Sequence, residues 1–248
     1  MSQTIFPLDT RFFNDGAWYV LSSTSLGNSG LNPEQLVNTL QGDPSGVEQL
    51  MADGICLPLL FPGDCALDQV AIVLGDLTAE QESEWLGRIQ SHLHIPCGEF
   101  LVMGGGGCEE DWEAALENPA PPDPDLLFNF QKFKVPPGDY LVEVYAFLGS
   151  MNFNFKLDEI GRENWQSWFH LQDTSEPPEW FKSLLKNDYI DSEAFDLQDY
   201  LIRLSPLQET PPLPVLEDCP WCGYYEFRQP PQCPQGLSRS RLLAQAAG

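Results

Sequence analysis

Residues 126–147, LLFNFQKFKVPPGDYLVEVYAF, carry the clearest secondary-structure signal in the chain. Leu126, Phe128 and Phe130 fall on one side of a period-two alternation; Tyr140, Val142, Val144 and Ala146 fall on one side of another. Between them stands Val135-Pro136-Pro137-Gly138-Asp139. Proline presets the entry to a turn, and glycine takes the positive φ that a tight reversal needs. Two alternating runs around such a turn predict a β-hairpin.

Working outward, the upstream sequence predicts strands and helices in mixture. Trp18–Leu21 reads as a strand, and Ile55–Phe61 as a buried strand stopped by Pro62-Gly63. Asn32-Pro33 and Asp43-Pro44 each place an N-cap before a proline at the first helical position. Val70–Leu74 is a strand core, and Thr78 with Gln81 forms a capping box. The spacing of Trp85, Leu86, Ile89 and Leu93 predicts a helix running from there to about Leu93. Phe100–Met103 is then a strand, in a strand–helix–strand unit whose length permits a right-handed parallel crossover, with an antiparallel return as the alternative. Pro177-Pro178 opens a short helix through Lys186, and Tyr200–Leu204 reads as a last strand, with the end of a helix starting at Asp191 as the alternative. The predicted fold is α+β: a single domain over residues 1–204, with a mixed sheet built around the 126–147 hairpin.

From Ser205 the composition changes. Eight prolines fall between Pro206 and Pro234, which excludes regular helix and central strand. Residues 205–248 are therefore expected to form a proline-rich, cysteine-bearing extension, with 229–248 adding little to the core.

The charge narrows the choice of function. Among 248 residues, 37 acids face 12 Lys and Arg, a formal net charge of -25. Between Phe12 and Gln131, Arg88 is the one basic residue among 19 acids. Such a surface repels nucleic acid and anionic membranes and attracts basic proteins or divalent cations. Acidity serving solubility alone is the plainer alternative. No run of ~20 apolar residues marks a membrane span. The N-terminus, MSQTIFPLDTRFF, lacks a charged-then-apolar signal pattern, which leads to an expectation of a cytoplasmic protein.

Catalytic motifs fail on inspection. Gly104–Gly107 sits where a phosphate loop would, but no Gly-Lys-Ser/Thr follows, and Glu109, Glu110 and Asp111 occupy the phosphate position. A flexible turn or a backbone crossing explains the glycines better. The histidines are His92, His94 and His170. Cys97 with His94 is a conceivable nucleophile–base pair, without an evident third group to orient it. The sharpest motif is Cys219-Pro220-Trp221-Cys222-Gly223, which resembles the CPxCG knuckle of zinc ribbons and also the CPxC redox motif of thioredoxin-like proteins, although no strand–helix unit follows the second cysteine as the redox motif requires. With Cys233 it offers three zinc ligands, Cys219, Cys222 and Cys233. A closed structural site needs four, so the fourth would come from elsewhere in the fold. Unligated thiols in a loop are the alternative.

Three segments, GDLTAEQESEWLGRIQ (75–90), IPCGEFLVMGGGG (95–107) and VPPGDYLVEVYAF (135–147), give a resemblance to an uncharacterised family of cyanobacterial proteins over about residues 55–150. The resemblance implies a bacterial cytoplasm and no particular chemistry. The expected function is a non-catalytic interaction or regulatory protein that offers its acidic surface to a basic partner. The alternatives are an enzyme with a site assembled from scattered His, Cys and carboxylate residues, and a zinc-stabilised binding module.

Overall fold

The computed structural model describes residues 3–117, 127–169, 177–186, 195–217, 221–230 and 233–246. The fold is α+β. Its strands are β1 (Thr4–Pro7), β2 (Trp18–Ser23), β3 (Cys56–Leu60), β4 (Ala71–Leu74), β5 (Gly87–Ile95), β6 (Glu99–Gly104), β7 (Phe130–Lys134), β8 (Gly138–Ala146), β9 (Tyr200–Pro206) and β10 (Glu226–Phe227). Its helices are α1 (Pro33–Leu40), α2 (Pro44–Ala52), α3 (Ala79–Glu84), α4 (Glu109–Glu117), α5 (Met151–Ile160), α6 (Trp165–Trp168), α7 (Glu179–Leu184) and α8 (Arg239–Ala246).

Two sheets stack face to face. One is ordered β1-β4-β9-β8-β5-β10 and the other β3-β2-β6-β7. The first is mixed, because β4 and β9 run parallel while its other pairs are antiparallel. Alternation along each strand sends one set of side chains between the sheets. Tyr19 and Leu21, Phe100 and Val102, Ile89 and Leu93, Val142 and Val144, Tyr200 and Ile202 meet there in the central core. The opposite side of the four-stranded sheet presents Val20, Leu101, Met103 and Phe130, covered by Leu36, Leu40, Leu50 and Trp112 of α1, α2 and α4. The opposite side of the six-stranded sheet presents Val73, Tyr145 and Leu201, covered by Leu237 and by Leu242 of α8.

The stretch 126–147 requires a correction. Strands do flank Pro136-Pro137, but they do not pair with each other. β7 pairs with β6 in one sheet, while β8 pairs with β5 and β9 in the other. The turn is a corner between sheets. Residues 96–98 make a matching corner between β5 and β6, so β5–β6 and β7–β8 form one long antiparallel ribbon bent across both sheets. At the bend the Val135 amide donates to the Gly98 carbonyl at 3.1 Å. The prolines have no N–H to give the ladder, and a strand that changes sheets satisfies that break as well as a reversal does. Gly98, at φ +69°, passes so close to Val135 that a Cβ there would lie 2.9 Å from its carbonyl oxygen.

The helix expected from Thr78 to Leu93 is also corrected. The Thr78–Gln81 capping box forms as read, but α3 stops at Glu84 with Trp85 in an extended conformation. From Gly87 the chain is the nine-residue strand β5, buried at every second position through Ile95. Ile89 and Leu93 are four apart, a spacing common to a helical face and one face of a strand. β4 and β6 therefore lie in different sheets, and no parallel crossover joins them.

The C-terminal segment also departs from expectation, because its described residues seal both sheets at one edge. Cys222 donates its amide to the Pro58 carbonyl at 3.0 Å and accepts the Leu60 amide at 2.9 Å, beside the free edge of β3. β10 then pairs with the start of β5. Covering an exposed edge removes a template for unwanted pairing. Leu237 and Leu242 are buried, so part of 229–248 belongs to the core.

Candidate functional site: an acidic helical layer

The layer over the four-stranded sheet is built from two capped helices and a third that opens with acids. Asn32 caps α1 and accepts the Gln35 amide, while Gln35 reaches back to the Asn32 amide. Asp43 caps α2 by accepting the Ser45 amide at 3.0 Å. α4 carries Glu109, Glu110 and Asp111 in its first turn, where carboxylates complement the positive end of the helix. Burial turns Leu36, Leu40, Leu50 and Trp112 inward and leaves the polar positions outside.

The glycine-rich loop before α4 is a close crossing rather than a phosphate cradle. Gly106 has φ +82°, and a Cβ there would lie 2.8 Å from Val20 Cγ2. The Trp112 indole N–H donates to the Gly106 carbonyl at 3.0 Å, and Gln41 donates to that of Gly107. The C-terminal segment reaches this layer through Trp221, whose indole N–H donates to the Leu40 carbonyl at 3.2 Å.

The outward face is acidic throughout. Glu34, Asp43, Glu48, Asp53, Glu109, Glu110, Glu113 and Glu117 are exposed on or beside these helices, and the three helices contain no Lys or Arg. Among the described residues, no ion pair reaches an acid of α1, α2 or α4. The charges press on one another: Glu109 is raised above the usual carboxylate range, first by lost hydration and then by repulsion from Glu34, Glu113 and Glu110.

Cations are spent elsewhere. Arg88 and Arg203 pair with Glu143 on the six-stranded sheet. Arg228 lies 3.6 Å from the centre of the Trp85 ring and donates to the Trp85 carbonyl. Lys134 pairs with Glu99, and Lys156 with Glu159.

The residues singled out from sequence are dispersed. Cys219 and His170 lie outside the described residues. Cys222 is buried in the central core, its thiol 3.4 Å from Met51 Sδ. Cys233 is buried in a different cluster, with Trp180, Phe181 and Leu197. Burial pushes the Cys233 thiol up to about 12 and the Cys222 thiol further. The two thiols thus belong to different apolar clusters, and among the described residues no three metal-ligating side chains gather.

His92 and His94 lie on β5 rather than at a helix end. His94 Nδ1 is 2.6 Å from Asp139 Oδ1, and burial holds His92 below the usual imidazole range. Cys97 is exposed at the corner. Partial burial would raise its thiol pKa, but hydrogen bonds from Ser25 and Thr24 outweigh it and lower it.

No family model matches the chain, and no curated protein does. Solved structures similar to it include crocagin biosynthetic gene J, at 13% identity and a TM-score of 0.38, over 84% of this chain and all of that one. Another is ComJ from Bacillus subtilis, an inhibitor of the DNA degrading activity of NucA. It matches at 7% identity and a TM-score of 0.32, over 84% of this chain and 96% of that one. Similarity at this level carries no argument about function. Among the described residues, no helix is long and apolar enough to cross a membrane.

Proposed function

We propose that this is a non-catalytic interaction or regulatory protein whose helical layer docks a basic protein partner. The observation that supports the reading is the acidic face of α1, α2 and α4, which no cation of the described chain neutralises. A fold that spends its guanidinium groups on other carboxylates leaves this face to a partner's lysines and arginines. Such a face accelerates encounter with a cationic partner and disfavours nucleic acid. The scattered histidines and thiols give the enzyme reading no comparable support.

The test compares wild type with a variant carrying E34Q, E109Q, E110Q and E113Q. Each is immobilised and used to capture proteins from a cell extract across a salt series. The expected result is a basic protein retained by wild type at low salt, released as salt rises through about 0.5 M, and not retained by the variant. Equal capture by both proteins, or none above background at low salt, refutes the reading.

A further inference from the structure

A cavity of about 560 Å3 opens between the N-terminal segment and the start of α8, sharing no residue with the acidic helical layer. Its volume falls within the ~300–1,000 Å3 typical of small-ligand sites. Phe12, Phe13, Leu127 and Leu243 form its apolar walls, and Asp68, Asp196 and Arg239 supply charge. Phe13 and Leu127 are 42% and 65% exposed.

Asp68 is the unusual group. It is half-buried, and among the described residues no cation pairs with it. Oδ1 accepts the Tyr19 hydroxyl at 2.9 Å, and Oδ2 is 3.5 Å from the Asn14 amide. The Cys65 thiol bonds it as well; a carboxylate has about four acceptor positions, so one remains open. Asp68 stands above the usual carboxylate range because burial outweighs the hydrogen bonds from Tyr19, Asn14 and Cys65. The neighbouring Cys65 thiol is pushed up to about 11, by desolvation first and then by the charge of Asp68.

The opposite wall does not supply the missing cation. Arg239 donates to the Gln69 side chain, and its charge acts on Asp196. Asp196 in turn accepts the hydroxyls of Ser238 and Ser240 and the Ser240 amide. Two carboxylates thus face one guanidinium, and the cavity is electrostatically unfinished by one positive charge.

We propose that this cavity is a binding site for a small organic ammonium ion with an apolar body. One of its N–H groups fills the open acceptor position of Asp68, and its body lies against Phe13, Phe12 and Leu127. An aromatic face beside a cation adds attraction, most strongly where water is displaced.

The experiment is calorimetric titration of the full chain with phenethylammonium, with 2-phenylethanol as the neutral isostere and 3-phenylpropionate as the anion. Saturable binding of the ammonium is expected, with the other two at least tenfold weaker. D68N should weaken it roughly tenfold to a hundredfold. F13A changes an exposed side chain, so it should fold normally and weaken binding several-fold. R239Q should tighten binding, because it removes a competing positive charge. Affinity should fall as pH is lowered and Asp68 takes up a proton. The proposal is overturned by no saturable binding up to about 10 mM, by equal binding of the alcohol, by unchanged affinity in folded D68N, or by weaker binding in R239Q.

Discussion

Glu143 and Arg203 face each other across β8 and β9, with Glu143 Oε2 2.8 Å from Arg203 Nη1 and its other oxygen 3.1 Å from Arg88 Nη1. Glu143 is 2% exposed and bridges both guanidinium groups, which also reach the more exposed carboxylates of Glu226 and Asp76. Breaking a buried ion pair costs about 3–5 kcal/mol where the remaining charge is left unpaired, and the outer carboxylates of Glu226 and Asp76 bring the cost here to the lower end of that range. E143A should destabilise by about that amount, and E143Q by less, because it keeps the acceptor oxygen. Urea unfolding measures both; an E143A midpoint equal to wild type would show that water reaches the arginines after all.

The corner at Gly98 should tolerate no side chain. Alanine there meets both an unfavourable φ and the Val135 carbonyl, so G98A is expected to destabilise by more than about 1 kcal/mol, whereas a glycine replacement at an ordinary φ stabilises slightly through the unfolded chain. G63A is the control, because Gly63 has no positive φ and its nearest neighbour is the flexible end of Met151. Equal loss of stability in the two variants would remove the special role of the corner.

Glu84 gives a pH dependence of defined sign. Oε2 accepts the amides of Gln235 and Gly236 at 2.8 and 2.9 Å and so anchors the C-terminal segment to the end of α3. Its pKa is nevertheless raised in the folded state, because burial outweighs those bonds, with Glu80 adding and Arg228 opposing. The folded state then binds the proton more tightly than the unfolded one. This contribution to stability is greatest below the unfolded carboxylate pKa and is lost as pH rises through the folded value. E84Q keeps an acceptor oxygen and abolishes the titration. Relative to wild type, it should become more stable as pH rises from the acid side to neutrality. A stability difference that is constant with pH would contradict this.

Trp221 offers a test of the tie between the C-terminal segment and α1. W221F keeps much of the ring but leaves the Leu40 carbonyl without its donor, at a cost of about 1–3 kcal/mol. It also disturbs the edge-on contact with Trp18, whose ring centre lies 4.9 Å away. Thermal unfolding followed by fluorescence reads both effects. Unchanged stability would mean that the buried carbonyl finds another donor.

Where a local rule leaves one solution, the sequence was readable. The Asn32–Gln35 and Thr78–Gln81 boxes form as read, and Trp18–Leu21 and Ile55–Phe61 contain strands, while Tyr200–Leu204, whose pattern also fitted the end of a helix, is a strand too. Local pattern failed where two structures share a spacing, as with Ile89 and Leu93, or where partners are chosen at long range. Nothing within 126–147 says that β8 will pair with β9, about sixty residues later. α5 was missed altogether: Ser150 caps it, but Phe153 and Leu157 sit in an aromatic run without a strong breaker signal. The acidic layer was visible as composition, and only the folded chain shows that the cations stand elsewhere. The Asp68 cavity was illegible for a simpler reason: Phe13, Asp68, Asp196 and Arg239 are scattered over most of the chain.

The bent ribbon also governs how the molecule comes apart. A protein of two stacked sheets has an obvious subglobular opening, in which one sheet melts and the other survives. Here β5 continues directly into β6 and β7 into β8, so each strand of the ribbon contributes to both sheets. Opening either sheet strips paired strands from the joints of the other. The two sheets should therefore behave as one cooperative unit, with slow amides on both sharing a single opening free energy in native-state hydrogen exchange. The helices α1, α2 and α4 pack on the outside of that unit, with Leu36, Leu40 and Trp112 seated on the four-stranded sheet.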